Sequence, residues 1–518
     1  MNANVFVKRY WDEHPLAVIM GLAVVFRLLA SVFAKGWGMF DDHFIVIESA
    51  GSWVAGHDYN DWLPGSPGNH GPTGHNFFYP GLNFIFFLFL KWCGITDPQT
   101  KMFFVRLVHA AISLVTVYLG YRIAEKLQDK KAARLAGILL AIFWFMPWMS
   151  VRNLVEMVCI PCIMAGYWIV IKKGSDPRVF LTWFLSGLFF GLAVNIRPQT
   201  VFFPIGIGLV LLFKLKWKEL SGLSLGSIII FALIQGGIDL VIWRKPFVEL
   251  LEYVNVCFTE RNDYISLPWY NYFLTIFAML IPPVSFFIFF GYIRTWRKLL
   301  LFFIPILLYF AFHSYFPNKQ ERFILPMIPV FIVIGTMGWN DFLKKSKFWQ
   351  HHGRLLHSCW VFFWIINTIL LVTFTFTYSK KARVEAMHYL SRYPHIRAMA
   401  VVDEENSPEL MPKFYLDQWP VSYNEFVGDL SADSILATAY RYRDTNPPGF
   451  ILFSGDKNVQ PLVVKARKYF PYLVHETTIE PGFIDRFVHW LNPINKNRRL
   501  FIYRNTALFP EQITPTDE

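Results

Sequence analysis

The chain has 518 residues, of which 54% are hydrophobic, 18% are aromatic and only 17% are charged, and its mean hydropathy is positive. Soluble proteins carry about 25% charged residues, so the composition excludes an ordinary soluble globular protein and indicates a polytopic membrane protein. The formal net charge of +12 does not indicate a nucleic-acid partner, because the Lys and Arg residues cluster between apolar segments, as in cytoplasmic loops of membrane proteins.

The first apolar segment, residues 16–33, has about the length that a membrane span requires. Lys8 and Arg9 precede it, and the run has no convincing small-residue cleavage site. Because Lys and Arg favour the cytoplasmic end of a span, we expect a retained signal anchor that crosses the membrane outward.

A polar outer loop, residues 36–101, follows this segment and begins with two adjacent acids in Phe40-Asp41-Asp42-His43-Phe44. Residues 36–76 are rich in Gly, Pro, Asn and His, which excludes long regular elements and suits a folded active-site loop. Residues 77–92 are apolar but short. If they spanned the membrane, the basic cluster at residues 122–134 would lie outside, so we expect an interfacial or re-entrant helix there.

Ten further apolar segments alternate with polar connectors, so the sequence predicts about eleven spans in a transmembrane domain of residues 1–378. Connectors that are merely basic fall on the cytoplasmic side, whereas acidic or mixed stretches fall outside. Ionisable residues at a membrane edge tend to mark substrate paths, so we expect the chemistry on the outer face. The ten segments are residues 102–121, 135–149, 154–171, 179–194, 200–213, 221–242, 272–292, 299–312, 323–339 and 359–377.

Residues 379–518 have ordinary charge density and Pro/Gly turns, which indicates a separate domain. β-like runs at Met399–Val402, Phe450–Phe453 and Leu500–Tyr503 alternate with helix-like stretches such as Gln460–Tyr469. The pattern predicts a small soluble α/β domain on the non-cytoplasmic side.

Adjacent carboxylates on the outer face, with cations from other loops, suit transfer of a group from an anionic lipid. A carboxylate takes a proton from an attacking hydroxyl, and Arg or Lys stabilises the phosphate that leaves. From composition alone, Asp41 and Asp42 also fit a solvated turn. Lys319, Glu321 and Arg322 also fit a snorkelling cluster at a helix end.

No cofactor is indicated by the sequence. His57, His70 and His75 in the outer loop match no specific metal-site spacing, so we expect neutral loop histidines and no metal. The last 140 residues contain no phosphate-binding Gly-rich loop and no metal-ligand spacing.

Six stretches share an order along residues 15–340 with one enzyme family. They are Phe40-Asp41-Asp42-His43-Phe44 with Glu48; Val151-Arg152-Asn153; Asn195-Ile196-Arg197-Pro198; Gly237-Ile238-Asp239 through Trp243 to Tyr253-Val254-Asn255; Leu267-Pro268-Trp269-Tyr270-Asn271-Tyr272; and Asn318-Lys319-Gln320-Glu321-Arg322-Phe323. The set resembles the family 22 glycosyltransferases, which are GT-C enzymes of the endoplasmic reticulum that make GPI anchors and lipid-linked oligosaccharides. The chain differs from the family pattern at four positions, where Asp42 replaces Glu, Ile45 replaces Gln, Asn271 replaces Trp and Asn318 replaces His. These differences leave the acceptor and the sugar open.

The resemblance implies a GT-C fold and an inverting, metal-independent transferase that uses a polyprenyl-phosphate sugar, which is mannose in the known family. It makes Asp41 the candidate base, with Asp42 second. Lys319, Arg322 and Arg197 would bind the donor phosphate. The implied substrate-binding residues are His43, Arg152, Trp269, Tyr270 and Glu321, of which Glu321 would orient Arg322 through an ion pair.

Trp269 and Tyr270 also fit an interfacial aromatic belt. The implied partners are a polyprenyl-phosphate sugar donor, a lipid-linked or surface glycan acceptor and the membrane. The membrane is a bacterial inner membrane, or that of the endoplasmic reticulum if the source is eukaryotic.

Two other classes of function fit parts of the sequence. A transporter or flippase of lipid-linked sugars would also place aromatic and cationic groups at the membrane edge, and it predicts paired repeats and ionisable residues near mid-bilayer. No internal repeat is evident, and charges cluster at segment ends, with Arg27, Glu156 and Asp239 as partial exceptions. A structural membrane subunit would tolerate replacement of the outer-loop acids.

Overall fold

The apolar runs of the chain form helices, because a helix satisfies its own backbone hydrogen bonds where no water is available. The computed structural model describes residues 10–172, 178–259, 266–408, 410–424, 429–456 and 459–511. By its internal contacts the chain divides into two units. The helical unit comprises the chain up to Val32, Asp61–Leu82 and Phe104–Phe376; the mixed unit comprises Phe33–Asn60, Asn83–Phe103 and the chain from Thr377. Parts of the outer loop belong to the mixed unit, and the predicted domains, residues 1–378 and 379–518, stay a prediction.

Before residue 377 the described chain is almost entirely helical. The α-helices are Pro15–Phe33, Phe40–Phe44, Ile47–Val54, Phe78–Trp92, Pro98–Leu127, Lys130–Ile142, Phe145–Ser150, Val155–Val158, Ile160–Lys172, Val179–Ile196, Phe202–Phe213, Trp217–Phe231, Gly237–Trp243, Val248–Thr259, Asn271–Met279, Val284–Arg294, Leu300–Tyr315, Ile328–Lys345, Lys347–His351 and Gly353–Thr375, with 3-10 helices at Pro198–Val201 and Glu321–Met327 and a π-helix at Ala232–Gly236.

Within the described residues, seven helices are long and apolar enough to cross a membrane. An eighth span results if the pair Asn271–Met279 and Val284–Arg294, bent by 118°, counts as one. The chain is therefore an integral, multi-pass membrane protein. Each of the eleven predicted segments contains a helix, but the total of eleven spans stays a prediction.

Close approach of helices explains several glycines in the spans. A Cβ on Gly291 would lie 1.9 Å from the carbonyl oxygen of Gly335, and a Cβ on Gly226 would lie 2.1 Å from that of Phe184. Small residues allow such approach where lipid supplies little hydrophobic driving force between helices. In the most apolar 18 residues of the span Glu321–Lys345, 94% of the residues are buried, so this span forms the centre of the helical unit.

A buried carboxylate fixes part of the first loop to a later helix of the same unit. Oε2 of Glu249 accepts hydrogen bonds from the backbone N–H groups of Thr73, Gly74 and His75, at 3.1, 2.7 and 3.2 Å. Gly74 has a φ of +77°, and a Cβ there would lie 3.0 Å from the backbone of Tyr253. Three successive N–H groups around one oxygen form an anion-binding nest, which the Glu249 side chain itself fills.

The mixed unit contains a four-stranded sheet in the order β1-β2-β4-β3. Strand β1 (Ala398–Asp403) is parallel to β2 (Pro448–Gly455), β2 is antiparallel to β4 (Arg499–Asn505), and β4 is antiparallel to β3 (Leu473–Ile479). Val402, Leu436, Ile451, Phe453 and Val463 lie in its apolar core. The helices after residue 377 are Lys381–Leu390, Lys413–Leu416, Ala432–Arg441, Gln460–Tyr469 and Phe483–Leu491, with a 3-10 helix at Pro493–Asn495.

The three predicted β-runs are confirmed as parts of β1, β2 and β4, and the helix predicted at Gln460–Tyr469 is confirmed at the same bounds. The sequence pattern does not predict strand β3. Its residues, Leu-Val-His-Glu-Thr-Thr-Ile, are too polar to resemble the other strands. A soluble, non-cytoplasmic domain at residues 379–518 stays a prediction.

We predict that Glu249→Gln changes how stability depends on pH. Burial raises the pKa of Glu249 from its ordinary 4.5 to about 7, the nearby Asp239 adds to the increase, and the Gly74 N–H opposes it. A carboxyl whose folded-state pKa is raised contributes stability at low pH that is lost as pH rises through about 7. The unfolding temperature of the detergent-solubilised wild type should therefore fall, relative to Glu249→Gln, between pH 4.5 and pH 8. Parallel pH profiles of the two proteins would contradict this.

Candidate functional site

The two acids of the first loop have different surroundings. They lie in the short helix Phe40–Phe44, and the buried Asp42 carboxylate accepts hydrogen bonds from the N–H groups of Gly38 and Met39, both at 3.2 Å. Asp42 is 4% exposed, whereas Asp41 is half-buried. Asp42 therefore has a local structural role, since it satisfies N–H groups that a helix start leaves without intrahelical partners.

His43 lies inside the mixed unit. Its Nε2 is 3.0 Å from Oε1 of Glu48, and its ring stacks on Trp37 and on Tyr415 at centroid distances of 4.7 and 5.5 Å. Both oxygens of Glu48 accept the N–H of Phe414, at 3.1 and 2.9 Å. The Glu48 carboxylate thus joins the acidic loop to a segment 366 residues later. The expected contact of His43 with substrate stays a prediction.

In the helical unit, two of the predicted phosphate-binding arginines share one buried carboxylate. Oε1 of Glu156 is 3.3 Å from Arg197 Nη2 and 3.8 Å from Arg322 Nε. Both guanidinium groups lie over the ring of Phe323, at 4.8 and 5.4 Å from its centroid. Arg322 also donates to Oε1 of Gln320 at 2.8 Å. The formal net charge of these three side chains, two cations and one anion, is +1.

Three span ends supply this group, which we call the Glu156 cluster: Glu156, Arg197 and Arg322. Glu156 begins the span Val155–Lys172, Arg197 follows the span Val179–Ile196, and Arg322 begins the span Glu321–Lys345. From the sequence, Glu156 counts only as a charge inside a predicted span. Its position near the end of that span is the signal that could have indicated pairing with loop arginines.

Lys319 and the aromatic pair lie on adjoining loops. An antiparallel bridge joins Ser266 to Asn318, and the N–H of Leu267 donates to the carbonyl of Pro317 at 3.3 Å. Trp269 and Tyr270, on the first of these loops, are exposed and make an edge-to-face contact at 5.8 Å. Because both rings are exposed, they fit an interfacial aromatic belt as well as a surface that binds substrate.

The Lys319 ammonium is buried and donates to the carbonyl of Phe316 at 2.5 Å. Burial lowers the pKa of Lys319. Glu321, the expected partner of Arg322, is exposed. The structure pairs Arg322 with the carboxylate of Glu156, and the expected ion pair with Glu321 stays a prediction.

Arg152 lies in a second buried polar group of the helical unit. Its guanidinium is 5.4 Å from the Trp148 ring centroid. The neighbouring Asn153 accepts the Tyr79 hydroxyl at 2.5 Å, and the same hydroxyl is 2.5 Å from Nε2 of His109. Arg152 is 2% exposed, so its expected contact with substrate stays a prediction.

The described side chains of His57, His70 and His75 are not arranged like the ligands of a metal site. His57 and His70 are exposed, and the His75 ring stacks on Trp62 at 4.3 Å. Across the described ranges, no group of three or more His, Cys, Asp or Glu side chains could hold a metal ion. Metal independence stays a prediction about the reaction.

Comparison with known proteins gives consistent matches. A model of the Alg9-like mannosyltransferase family matches residues 72–410. The chain is 21% identical over 398 residues to mannosyltransferase APTG1 of Arabidopsis thaliana, covering 71% of this chain and 69% of that one. It is 25% identical over 350 residues to GPI mannosyltransferase 3 of Candida albicans, covering 65% and 66%. The chain therefore spans about two thirds of the length of these relatives.

The crystal structure of ArnT from Cupriavidus metallidurans, bound to undecaprenyl phosphate, superposes with a TM-score of 0.64 at 13% identity. The match covers 97% of this chain and 99% of that one. At such low identity the likeness shows the fold alone, which is the expected GT-C fold. The family model includes the Glu156 cluster, Lys319 and the aromatic pair, and it begins after Asp41 and Asp42.

We predict that Asp42→Ala destabilises the protein relative to Asp42→Asn. The loss of a side chain that satisfies N–H groups at a helix start costs about 1 kcal/mol, whereas Asp42→Asn keeps an oxygen that accepts one of the two N–H groups. Thermal unfolding of both variants in detergent measures the difference. Equal unfolding temperatures for Asp42→Ala and the wild type would contradict the role given to Asp42.

Proposed function

The chain belongs to the Alg9-like mannosyltransferase family and is a membrane glycosyltransferase, and on that premise we propose that it moves mannose from a polyprenyl-phosphate donor to a lipid-linked or surface glycan acceptor. The reaction inverts the anomeric centre and needs no metal. The Glu156 cluster is the observation that carries the proposal. It holds two guanidinium groups around one carboxylate, that of Arg322 buried and that of Arg197 half-buried, and the formal net charge of these three side chains is +1, which suits a phosphate group.

Asp41 is the proposed base. Its carboxylate takes the proton of the acceptor hydroxyl, whose oxygen forms a bond to C1 of the sugar while the bond from C1 to the phosphate oxygen breaks. Polyprenyl phosphate leaves with the bonding electrons. Asp41 is the more exposed of the two acids, half-buried where Asp42 is buried, and this supports Asp41 for the role because a base needs access to the proton.

Arg197, Arg322 and Lys319 are the proposed donor-phosphate ligands. The charge on the phosphate increases when the C1–O bond breaks, so cations fixed before the reaction stabilise the transition state more than the bound donor. Glu156 is a positioning residue in this proposal. Its carboxylate holds the two arginines close to one another and cancels only one of their two positive charges.

The remaining substrate contacts follow from the family motifs. Trp269 and Tyr270 are exposed and offer aromatic faces to the sugar or the lipid, while the roles of His43, Arg152 and Glu321 rest on motif position. We place the chemistry and residues 379–518 on the non-cytoplasmic face, because the basic connectors favour the cytoplasm.

Membranes that contain the protein, supplied with a panel of polyprenyl-phosphate sugars, test the function directly. Transfer of mannose alone from polyprenyl-phosphate mannose is the expected result. Transfer of another sugar would change the donor assignment. Movement of the intact lipid-linked sugar across vesicles without glycosidic bond formation would instead indicate a flippase.

We predict that Asp41→Asn lowers the transfer rate by about 10²-fold or more, as expected for loss of a general base. The measurement is single-turnover transfer from the preferred donor by purified protein. Asp42→Asn is the matched control, because it makes the same chemical change one residue away and leaves an amide oxygen that accepts one of the Gly38 and Met39 N–H groups. Normal transfer by Asp41→Asn would refute the assignment, and loss confined to Asp42→Asn would move the base by one residue.

We also predict that Arg322→Ala weakens donor binding by about 2 to 5 kcal/mol, the usual cost of removing one partner of a buried charged pair. Donor titration on the folded fraction measures it. The control is Arg294→Ala, which removes an exposed arginine from a merely basic connector. Equal donor affinities for the two variants would contradict the phosphate role of Arg322.

A further inference from the structure

The helix Phe483–Leu491 of the mixed unit presents an apolar face with no covering element among the described residues. The spacing of its outer residues follows the helical period. Phe487 and Trp490 lie side by side, with ring centroids 5.9 Å apart. The outward residues, with their exposed fractions, are Phe483 at 74%, Phe487 at 49%, Trp490 at 74%, Leu491 at 62% and, in the following turn, Ile494 at 80%. Contiguous exposed aromatic residues of this kind mark an interaction surface.

Polar contacts fix the other side of the helix, so its orientation is defined. The buried Asp485 carboxylate accepts the N–H of Lys381 at 3.0 Å. Nε2 of His489 is 3.2 Å from Oδ2 of Asp456, at the end of β2. These contacts turn the aromatic residues away from the unit.

The point where this helix is attached lies a short distance along the chain from two membrane spans. Lys381 follows the end of the span Gly353–Thr375 by six residues, which reach at most about 20 Å when fully extended. The N–H of Ser379 donates to the carbonyl of Lys35 at 3.1 Å, and Lys35 follows the end of the span Pro15–Phe33 by two residues. Two spans therefore end within a few residues of the point where the helix is attached.

We infer that the helix Phe483–Leu491 lies in the lipid–water interface of the bilayer that contains the spans, with the Phe487 and Trp490 rings inserted among the lipids. Interfacial helices bury an apolar face about 5–10 Å into the boundary between headgroups and acyl chains. Trp is enriched at this depth because its ring is apolar and its N–H is polar. The exposed Arg486 on the same helix suits anionic headgroups.

Fluorine NMR of the full chain, labelled with fluorotryptophan and reconstituted in nanodiscs of phosphatidylcholine and phosphatidylglycerol, tests the inference. The chain has 19 tryptophans, so Trp490→Phe identifies the resonance of Trp490 by its disappearance. The resonance should lose intensity when the nanodiscs contain phosphatidylcholine with a nitroxide just below the headgroup. It should persist when a water-soluble gadolinium chelate is added.

Tyr442→Trp provides the matched control. Tyr442 is exposed in the same unit and follows the helix Ala432–Arg441, six residues before the start of β2 in the chain. Its new resonance should respond to gadolinium and not to the nitroxide lipid. If Trp490 responds as the control does, the helix lies in water and the inference is overturned. If neither reagent affects Trp490, another protein copy or partner covers the face, which also overturns it.

Discussion

An ionised side chain inside a membrane protein needs a partner, because transfer of an uncompensated charge out of water costs several kcal/mol. Glu156 meets this requirement for two arginines at once, and it does so where three spans end. The need of each buried charge for a partner explains the arrangement of the Glu156 cluster as well as its contribution to the stability of the fold. Removal of Glu156 would leave two like charges close together, whereas a second carboxylate would neutralise the group and leave no attraction for an anion.

Buried carboxylates repeat this role at other positions of the chain. Glu48 accepts the N–H of Phe414, Glu249 accepts three N–H groups of the first loop, and Asp42 accepts two just before its own helix. Glu249 and Asp42 hold irregular segments whose backbone has no helix or sheet to pair with, and Glu48 satisfies an N–H in the first turn of the helix Lys413–Leu416. Loops with many Gly, Pro and Asn residues gain a defined shape in this way, because the cost of an unsatisfied buried N–H exceeds that of ordering the acid.

Hydropathy and the charges between apolar runs predicted the helical segments well, since both signals are local. The alternation of short apolar runs likewise predicted β1, β2 and β4, and it missed β3 because of the polar residues in Val-His-Glu-Thr-Thr. Long-range pairings were beyond prediction. Glu48 and Phe414 are 366 residues apart, and Glu249 and Gly74 are 175 apart, so nothing in the spacing indicates either contact. The contact of Arg322 with Glu156 was likewise beyond prediction, because the two residues lie in different spans and a single sequence offers only neighbours such as Glu321 as candidates.

The replacement of Glu by Asp at position 42, relative to the family motif, is conservative in this local structure. At the third position of a helix, a carboxylate can reach back to the N–H groups just before the first turn. Glu does so with a longer side chain, and Asp42 does so at 3.2 Å to both Gly38 and Met39. The substitution therefore preserves the turn that presents Asp41. The two acids have different surroundings because of their positions in the helix. The third residue, Asp42, is directed back to the backbone, while the second, Asp41, lies on a different side of the same turn.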